Sequence, residues 1–240
     1  MNIKQIKRNL VLGILFFLPV TFLMFLYPST HNYNTLDIVD EKVSELDNFS
    51  SDSDDEIVLK DHLSVLGFFG KNPMNNAVAA SNLKELIYDK FKGFKKFQVL
   101  IVVPESSIEE ATQLKKEISL YEDLKYWHFI YGNDDQIQEL FSSLKIDVSL
   151  DDQLSSYNVF IVDKDLSQRG RLDDRTDGEI TRNLQVYGLN SYNCIEVAEI
   201  KNKMSEDLRI LFTEYRQKRK GNFDSSSRRE NDLKKQDEQN

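Results

Sequence analysis

Apolar and polar positions follow two different rhythms along the chain between residues 57 and 218. Short apolar runs that are rich in β-branched and aromatic residues, and that end at Gly, Pro, Asn or Asp, are typical of buried strands. Four such runs predict strands over 64–69, 97–103, 126–131 and 158–163. A further run at 168–173 predicts a hairpin partner for the fourth strand.

Longer stretches between these strands carry apolar residues at the spacing of one helix face. They predict helices over 76–92, 106–121, 134–144 and 202–218. Ser106 with Glu109 is a candidate capping box for the second helix, and Asn133 or Asp134 is a candidate cap for the third. The alternation of strands and helices, closed by a hairpin and a last helix, predicts an α/β domain with a mixed central sheet, as in the thioredoxin-like fold.

A different pattern precedes this domain, because residues 10–27 form an apolar stretch of 18 residues without a charge. As a helix it spans roughly 27 Å, close to the hydrocarbon thickness of a bilayer. Lys4, Lys7 and Arg8 come before it and the next basic residue is Lys42. The positive-inside rule therefore predicts a single-pass anchor in the cytoplasmic membrane, with residues 1–9 in the cytoplasm and the rest in the periplasm. A cleaved signal peptide is the alternative, but such peptides usually have a shorter apolar region and a small-residue cleavage site.

Charge is unevenly distributed around a net value of −9. Residues 37–56 hold nine acidic residues and one basic residue, which predicts that 28–56 is an extended, self-repelling stalk. Residues 219–240 have almost no apolar side chains and are predicted to form a disordered charged tail. An acidic chain lacks the basic surface that nucleic acid requires, so we expect no nucleic-acid partner.

The first predicted strand runs into the sequence FFGKNPMNNAVAASNL, residues 68–83. A loop at the end of a strand commonly carries functional residues, yet this loop has no thiol, histidine or acid. The layout resembles the Sco/SenC family of membrane-anchored, thioredoxin-fold proteins. The family pattern is an aromatic strand end, then C-P-x-x-C-P, then a helix with N-L. Pro73 and the pair Asn82-Leu83 match this pattern.

Three later segments resemble the same family in the same order. VPESSIEEATQLKK (103–116) is similar to its D-P-E segment and the helix after it. YWHFIYGNDDQIQEL (126–140) is similar to its W-x-F-L-x-G-x stretch, and VFIVDKDLSQRGRLD (159–173) to its closing hairpin. The resemblance covers roughly residues 65–215. It implies the fold and membrane location of a family that binds copper and assists the assembly of respiratory oxidases.

The resemblance also places the family's copper ligands, with its two cysteines on Asn72 and Asn76 and its histidine on Ser155, give or take one position. Copper(I) prefers thiolate, thioether and imidazole, and thiol–disulfide exchange needs a thiolate. We therefore expect no copper, cofactor or catalytic residue here, and treat Asn72, Met74, Asn76 and Ser155 as candidate contacts for a partner protein. The competing interpretation assigns the asparagines to turn formation and helix capping, and Met74 to packing.

Other chemistry-bearing residues are scattered. The histidines are His31, His62 and His128, which lack metal-ligand spacing, and His128 is expected to pack within a strand. Cys194 is the single cysteine and is expected to be a buried, inert thiol. Four arginines interleave with acidic residues and predict a solvated, self-paired edge: Arg169, Arg171, Arg175 and Arg182.

The predicted function is therefore non-enzymatic: protein–protein interaction or assembly at the membrane, with an unidentified membrane or envelope protein as partner. Two alternatives stay open. One is a copper(I) carrier for respiratory oxidase assembly, with a site rebuilt from Met74, His62 or Cys194. The other is a redoxin-type enzyme that acts through Cys194.

Overall fold

The computed structural model describes residues 3–26, 35–146 and 149–219. It divides into two compact units, residues 1–34 and residues 35–240. The described part of the first unit is one helix, α1 (Ile3–Leu26), which contains Pro19. Apolar side chains along α1 are exposed, for example Leu15 at 71% and Phe16 at 70%.

The predicted membrane span 10–27 lies in part outside the described residues, because position 27 and the side chains at 10, 23, 25 and 26 are not described. Within the three described ranges, no helix combines the length and the apolarity that crossing a membrane requires.

The second unit is built on one mixed sheet. Its strands, in chain order among the described residues, are β1 (Asp37–Asp40), β2 (Ser50–Ser51), β3 (Leu63–Phe69), β4 (Phe97–Pro104), β5 (Trp127–Gly132), β6 (Ser155–Val162), β7 (Gln168–Gly170) and β8 (Tyr192–Asn193). In the sheet they lie in the order β1-β7-β6-β3-β4-β5-β2, and β8 pairs with β6 outside this path.

The strand directions define the fold class. β3, β4 and β5 run parallel to one another, whereas β6 runs antiparallel to β3 and β7 antiparallel to β6. A parallel β-α-β unit followed by an antiparallel hairpin and a last helix is the thioredoxin-like arrangement. The predicted mixed α/β fold is therefore confirmed, and the four main strands lie within a few residues of their predicted positions.

Helices cover both faces of this sheet. They are α2 (Ala77–Leu83), α3 (Asp89–Phe91), α4 (Ile108–Ile118), α5 (Asp134–Ser142), α6 (Asp177–Thr181) and α7 (Ser205–Arg219). A π-helical stretch (Lys84–Tyr88) joins α2 to α3, and another (Glu199–Met204) leads into α7. The helix predicted over 76–92 thus contains an internal π-helical segment that periodicity does not reveal. The helix predicted over 202–218 starts earlier than predicted, in the π-helical stretch that begins at Glu199.

Local signals at the helix starts had mixed outcomes. Asn133 caps α5 as predicted, because its side chain accepts from the Gln136 backbone while the Gln136 side chain accepts from the Asn133 backbone. The predicted Ser106–Glu109 capping box is wrong. α4 begins after Ser107, which makes no side-chain cap, and the Ser107 hydroxyl instead donates to the Lys71 carbonyl at 2.8 Å.

Two apolar clusters lie on opposite faces of the sheet. Val65 belongs to the cluster that also contains residues of α2, α4 and α7, whereas Leu66 belongs to the cluster that contains residues of α5. Adjacent strand residues point to opposite faces, so β3 and β4 are buried on both sides. This double burial explains why both strands are continuous apolar runs in the sequence.

Residues 35–56 belong to the folded domain, so the predicted stalk is wrong for that part of 28–56, and the domain starts before residue 57. β1 pairs with β7 at one edge of the sheet, and β2 pairs with β5 at the other. Four apolar side chains of this segment are buried against the domain: Leu36, Val39, Val43 and Leu46. We call residues 35–56 the edge strap. Residues 27–34 and the predicted tail beyond Arg219 lie outside the described residues.

The prediction of a solvated arginine edge is wrong for Arg169, which is 1% exposed. Its guanidinium donates to Asp163 and to Glu214, both at 2.8 Å, and to the Leu36 carbonyl at 2.7 Å. Hydrogen-bonded carboxylates make such a buried charge tolerable. Arg169 thereby joins the edge strap, the β6–β7 turn and α7.

Arg171 also lies in a network instead of at an open edge. Its guanidinium donates to both oxygens of Asp207 and to Asp174, and the Tyr192 hydroxyl donates to Asp207 at 2.7 Å. The predicted solvated, self-paired edge fits the other two arginines better. Arg175 pairs with Asp173 at 2.7 Å, and Arg182 is exposed, with its Nε donating to the Gly178 carbonyl at 2.9 Å.

Candidate functional site

The predicted site lies at the carboxyl end of β3, where loops of α/β sheets commonly carry functional groups. β3 ends at Phe69, Gly70 turns the chain with a φ of +67°, and a 3₁₀ turn (Pro73–Asn76) leads into α2. A Cβ atom on Gly70 would lie 2.2 Å from the carbonyl oxygen of Gln153. Glycine therefore permits both the left-handed turn and the close approach of the loop to segment 151–155.

Segment 151–155 holds the loop in place. The Lys71 backbone N–H donates to the Gln153 carbonyl at 2.8 Å, and Asn72 Nδ2 donates to Gln153 Oε1 at 3.2 Å. The backbone N–H groups of Gln153 and Ser155 in turn donate to Asp151 Oδ1 at 2.9 and 2.8 Å. Loop 70–76 and segment 151–155 thus form one hydrogen-bonded surface, which we call the loop surface.

Asn76 points inward and is only 2% exposed. Its Nδ2 donates to the Phe69 carbonyl at 3.0 Å and to Ser155 Oγ at 3.1 Å. Although Asn76 precedes α2, its side chain makes no helix-cap hydrogen bond, so the capping interpretation is wrong for it. It fastens the end of β3 to the start of β6, and its buried Oδ1 has no hydrogen-bond partner among the described residues.

The remaining loop residues differ in what a partner can reach. Asn72 and Met74 are partly exposed, Asn75 is exposed and Asn76 is buried. Met74 also packs against the apolar cluster under α2. Of the four candidate contacts, Asn72, Met74 and Ser155 are partly exposed, and Asn76 is a buried structural support.

The residues at the family's ligand positions do not fit copper. Asn76 and Ser155, two positions on which the sequence resemblance places metal ligands, offer an amide and a hydroxyl that bind each other. Neither is a soft ligand of the type that copper(I) prefers. In the described part of the chain, no group of three or more His, Cys, Asp and Glu side chains is arranged to hold a metal ion.

The three residues of the alternative copper site, Met74, His62 and Cys194, do not form one cluster. His62 lies before β3 and Met74 lies after it. β3 has seven residues, so its two ends are roughly 20 Å apart at about 3.3 Å per residue. Cys194 is fully buried after β8. Its backbone N–H donates to the Tyr157 carbonyl, and its own carbonyl accepts from Asn82 Nδ2 at 2.9 Å.

Burial shifts the pKa of two titratable groups, Cys194 and His128. Burial raises the pKa of the Cys194 thiol far above its ordinary value, and Glu199 adds to this effect. Burial lowers the pKa of His128, although the Asp52 carboxylate, 3.8 Å from His128 Nδ1, partly offsets it. A protonated thiol in the core cannot attack, since the thiolate is the nucleophile.

Two further residues that hold the loop surface, Gln153 and Lys71, could not be identified from the sequence. Gln153 binds the loop through both its backbone and its side chain. Lys71 pairs with Asp134 at 2.8 Å, and its carbonyl accepts from the Ser107 hydroxyl. Each of these contacts joins residues that are distant along the chain, so no local motif announces them.

No model of a protein family matches this sequence, and no curated protein matches it.

Solved structures similar to this chain include three structures of Sco proteins. The soluble domain of Sco1 from Bacillus subtilis is 16% identical, with 74% of this chain and 96% of that chain covered and a TM-score of 0.43. BsSco, a member of the Sco family of cytochrome c oxidase assembly proteins, is 14% identical over 72% of this chain and 95% of its own, with a TM-score of 0.44. Copper-bound ScoI from Arabidopsis thaliana is 10% identical over 67% of this chain and 94% of its own, with a TM-score of 0.40.

The family that the sequence motifs resemble is thus represented among these structures. At such low identity and TM-score the likeness says nothing about activity, and the fold class rests on the strand order of the sheet.

Proposed function

We propose that this chain is a membrane-anchored, non-enzymatic protein whose thioredoxin-like domain binds a partner protein through the loop surface, as a step in assembly at the membrane. The hydrogen bonds from Asn76 to Phe69 and Ser155 carry this proposal. At two of the positions that the resemblance assigns to metal ligands, the side chains of Asn76 and Ser155 are hydrogen-bonded to each other. They also fix the loop so that Asn72, Met74 and Asn75 are presented at the surface.

These presented side chains suit recognition of a protein. Amide groups both donate and accept hydrogen bonds, and methionine adapts its shape to apolar partners. A loop that is already fixed loses little conformational entropy on binding, which favours its use as a contact surface.

The two alternatives require chemistry that this site supplies poorly. A redoxin acting through Cys194 would need an accessible thiolate, whereas the thiol is buried and its pKa is raised by that burial. A copper carrier would need soft ligands in one place, whereas Met74 and His62 lie at opposite ends of β3.

The location is proposed from the sequence. Residues 10–27 are apolar and uncharged, and Lys4, Lys7 and Arg8 precede them. We infer an uncleaved anchor with the domain on the periplasmic side. A reporter enzyme fused after Asn240 tests this directly: activity in the cytoplasm, or a mature chain that starts near residue 28, contradicts the anchor or its orientation.

Site-specific crosslinking tests the loop surface. A photo-crosslinking amino acid is placed at exposed Asn75 in the full-length protein in intact membranes. The control places it at Leu120, which is 72% exposed and follows α4, away from the loop. We expect a discrete crosslinked protein from position 75 and none from position 120.

The variant Asn72→Ala should weaken capture at position 75 while it changes the free energy of unfolding by less than about 0.5 kcal/mol, as surface substitutions usually do. Equal capture at both positions, or capture that follows stability alone, contradicts the proposal. Tight, stoichiometric copper(I) binding that is lost in Met74→Ala, His62→Ala or Cys194→Ala would instead support the copper carrier.

A further inference from the structure

A group of exposed apolar side chains follows β7. Residues 172–188, which we call the β7 excursion, leave the sheet after Arg171 and return at Leu189, where these two residues form a bridge. Nearly all of the excursion is exposed. Its large apolar side chains are exposed by about half: Leu172 51%, Ile180 50%, Leu184 46%, Val186 54% and Tyr187 46%.

The excursion is held by its own hydrogen bonds. The Asp174 backbone N–H donates to the Tyr187 carbonyl at 2.8 Å, and Arg175 Nη1 donates to the Leu184 carbonyl at 2.7 Å. The Tyr187 hydroxyl donates to Glu179 at 3.0 Å. The apolar side chains are therefore presented outward by a supported backbone and do not fold back onto the core. Exposed apolar patches of this kind mark interaction sites.

The excursion begins beside the point where the chain enters the domain. The folded unit starts at Thr35, and Asp37 is paired with Gly170 in the sheet. The Leu172 backbone N–H donates to Asp37 Oδ2 at 3.1 Å. Thr35, where the folded unit starts, is therefore close in the structure to Leu172, where the excursion starts.

The length of the connecting chain limits how far that surface can be. Because the edge strap belongs to the domain, only residues 28–34 connect the apolar segment to Thr35. A fully extended chain covers at most about 3.5 Å per residue, so this connection reaches roughly 30 Å. With residues 10–27 embedded in a bilayer, Thr35 is held within that distance of the lipid surface.

We propose that the β7 excursion rests on the lipid bilayer and inserts its apolar side chains into the interfacial region. This inference rests on the membrane anchor of the proposed function. Anionic headgroups would repel acidic residues, of which the excursion has four. Asp173 is paired with Arg175, and Asp174 is paired with Arg171 and Lys203. Glu179 accepts hydrogen bonds from Thr176 and Tyr187, and Asp177 lies beside it in the first turn of α6. Local pairing leaves the apolar side chains as the dominant contact, and their burial in the interface supplies the affinity.

Spin labels on the full-length protein in vesicles of phosphatidylethanolamine and phosphatidylglycerol test this. Single cysteines are introduced as Leu184→Cys in the excursion, Leu120→Cys as the matched leucine control, and Phe16→Cys in α1. The unmodified chain serves as the labelling blank, because Cys194 is buried. Relaxation by oxygen, which dissolves in lipid, is compared with relaxation by a water-soluble nickel chelate.

We expect the label at 184 to lose nickel accessibility and gain oxygen accessibility relative to the label at 120. Equal nickel accessibility at 184 and 120 overturns the proposal. Protection at 184 from both reagents also overturns it, because that pattern indicates contact with a partner protein or a second copy. Ile180→Cys repeats the measurement in case Leu184→Cys fails to fold.

The label at 16 separates this proposal from the anchor. A lipid-exposed label at 16 with a water-exposed label at 184 keeps the anchor and removes the lipid contact of the excursion. A water-exposed label at 16 removes the anchor, and the label at 184 then reports whether the excursion binds lipid by itself.

Discussion

Asn76 and Ser155 are 79 residues apart in the chain and are joined by a hydrogen bond of 3.1 Å from the Asn76 amide to the Ser155 hydroxyl. The same amide group holds the Phe69 carbonyl. One buried side chain therefore connects the end of β3, the start of α2 and the start of β6, and determines the position of the loop between them.

Replacing Asn76 with alanine should destabilise the domain by about 1–3 kcal/mol, because the substitution leaves a buried carbonyl and a hydroxyl without their donor. Urea unfolding of the variant and of the unmodified chain measures the difference. Asn72→Ala is the matched control, since its side chain is partly exposed and makes a single bond to Gln153. Equal stability of the two variants would show that Asn76 is not a support of the fold.

Arg169→Ala should cost about 3–5 kcal/mol, because the buried Asp163 carboxylate loses its counter-ion and Glu214 keeps only its pair with the partly exposed Lys218. The measurement is again the free energy of unfolding at neutral pH. Arg182→Ala, at an exposed arginine, is expected to change stability little. A small effect at both positions would mean that water reaches the Arg169 network.

His128 should make the domain less stable in acid. Burial lowers its pKa below the ordinary value of 6.5, so the unfolded chain takes up this proton at higher pH than the folded chain does. Its contribution to stability is therefore complete above about pH 6.5 and is lost as the pH falls below it.

His128→Gln should flatten that part of the pH profile, measured by urea unfolding between about pH 7.5 and about pH 5. The unmodified chain, measured over the same pH range, serves as the control. An unchanged slope in His128→Gln would show that other groups produce the acid sensitivity.

The edge strap should be essential for folding. A chain that begins at residue 57 loses four buried apolar side chains, Leu36, Val39, Val43 and Leu46, and each such side chain contributes about 1.5–3 kcal/mol when fully buried. We expect fragment 35–219 to unfold cooperatively on heating and fragment 57–219 to show no such transition. Cooperative melting of both would mean that the strap only covers a domain that is already stable.

Cys194 should be unreactive in the native protein. Because burial raises the pKa of its thiol, alkylation by iodoacetamide should be slow in buffer and fast in denaturant. Mass spectrometry after timed quenching measures both rates. Rapid native alkylation would show an accessible thiol and would revive the redoxin alternative.

The sequence by itself determined the main elements and their order. The strands β3 to β6 and the helices between them are encoded by apolar runs and helical periodicity, which are properties of neighbouring residues. The capping box at Asn133 and Gln136 is equally local. These signals sufficed to predict the thioredoxin-like sheet and to place the loop after its first central strand.

Only the tertiary structure decided the role of the acidic segment and of the site residues. A few apolar residues among nine acids are typical of a stalk in the sequence, but in the structure four of them are buried and the segment pairs with both edges of the sheet. The sequence position of Asn76 predicts a helix cap, whereas in the structure its side chain donates to Ser155 Oγ at 3.1 Å. The sequence predicts a surface charge at Arg169, whereas in the structure its guanidinium donates to Leu36 near the start of the domain and to Glu214 near its end. In each case the deciding partner is far away in the chain, and burial against it overrides the local preference of the residue.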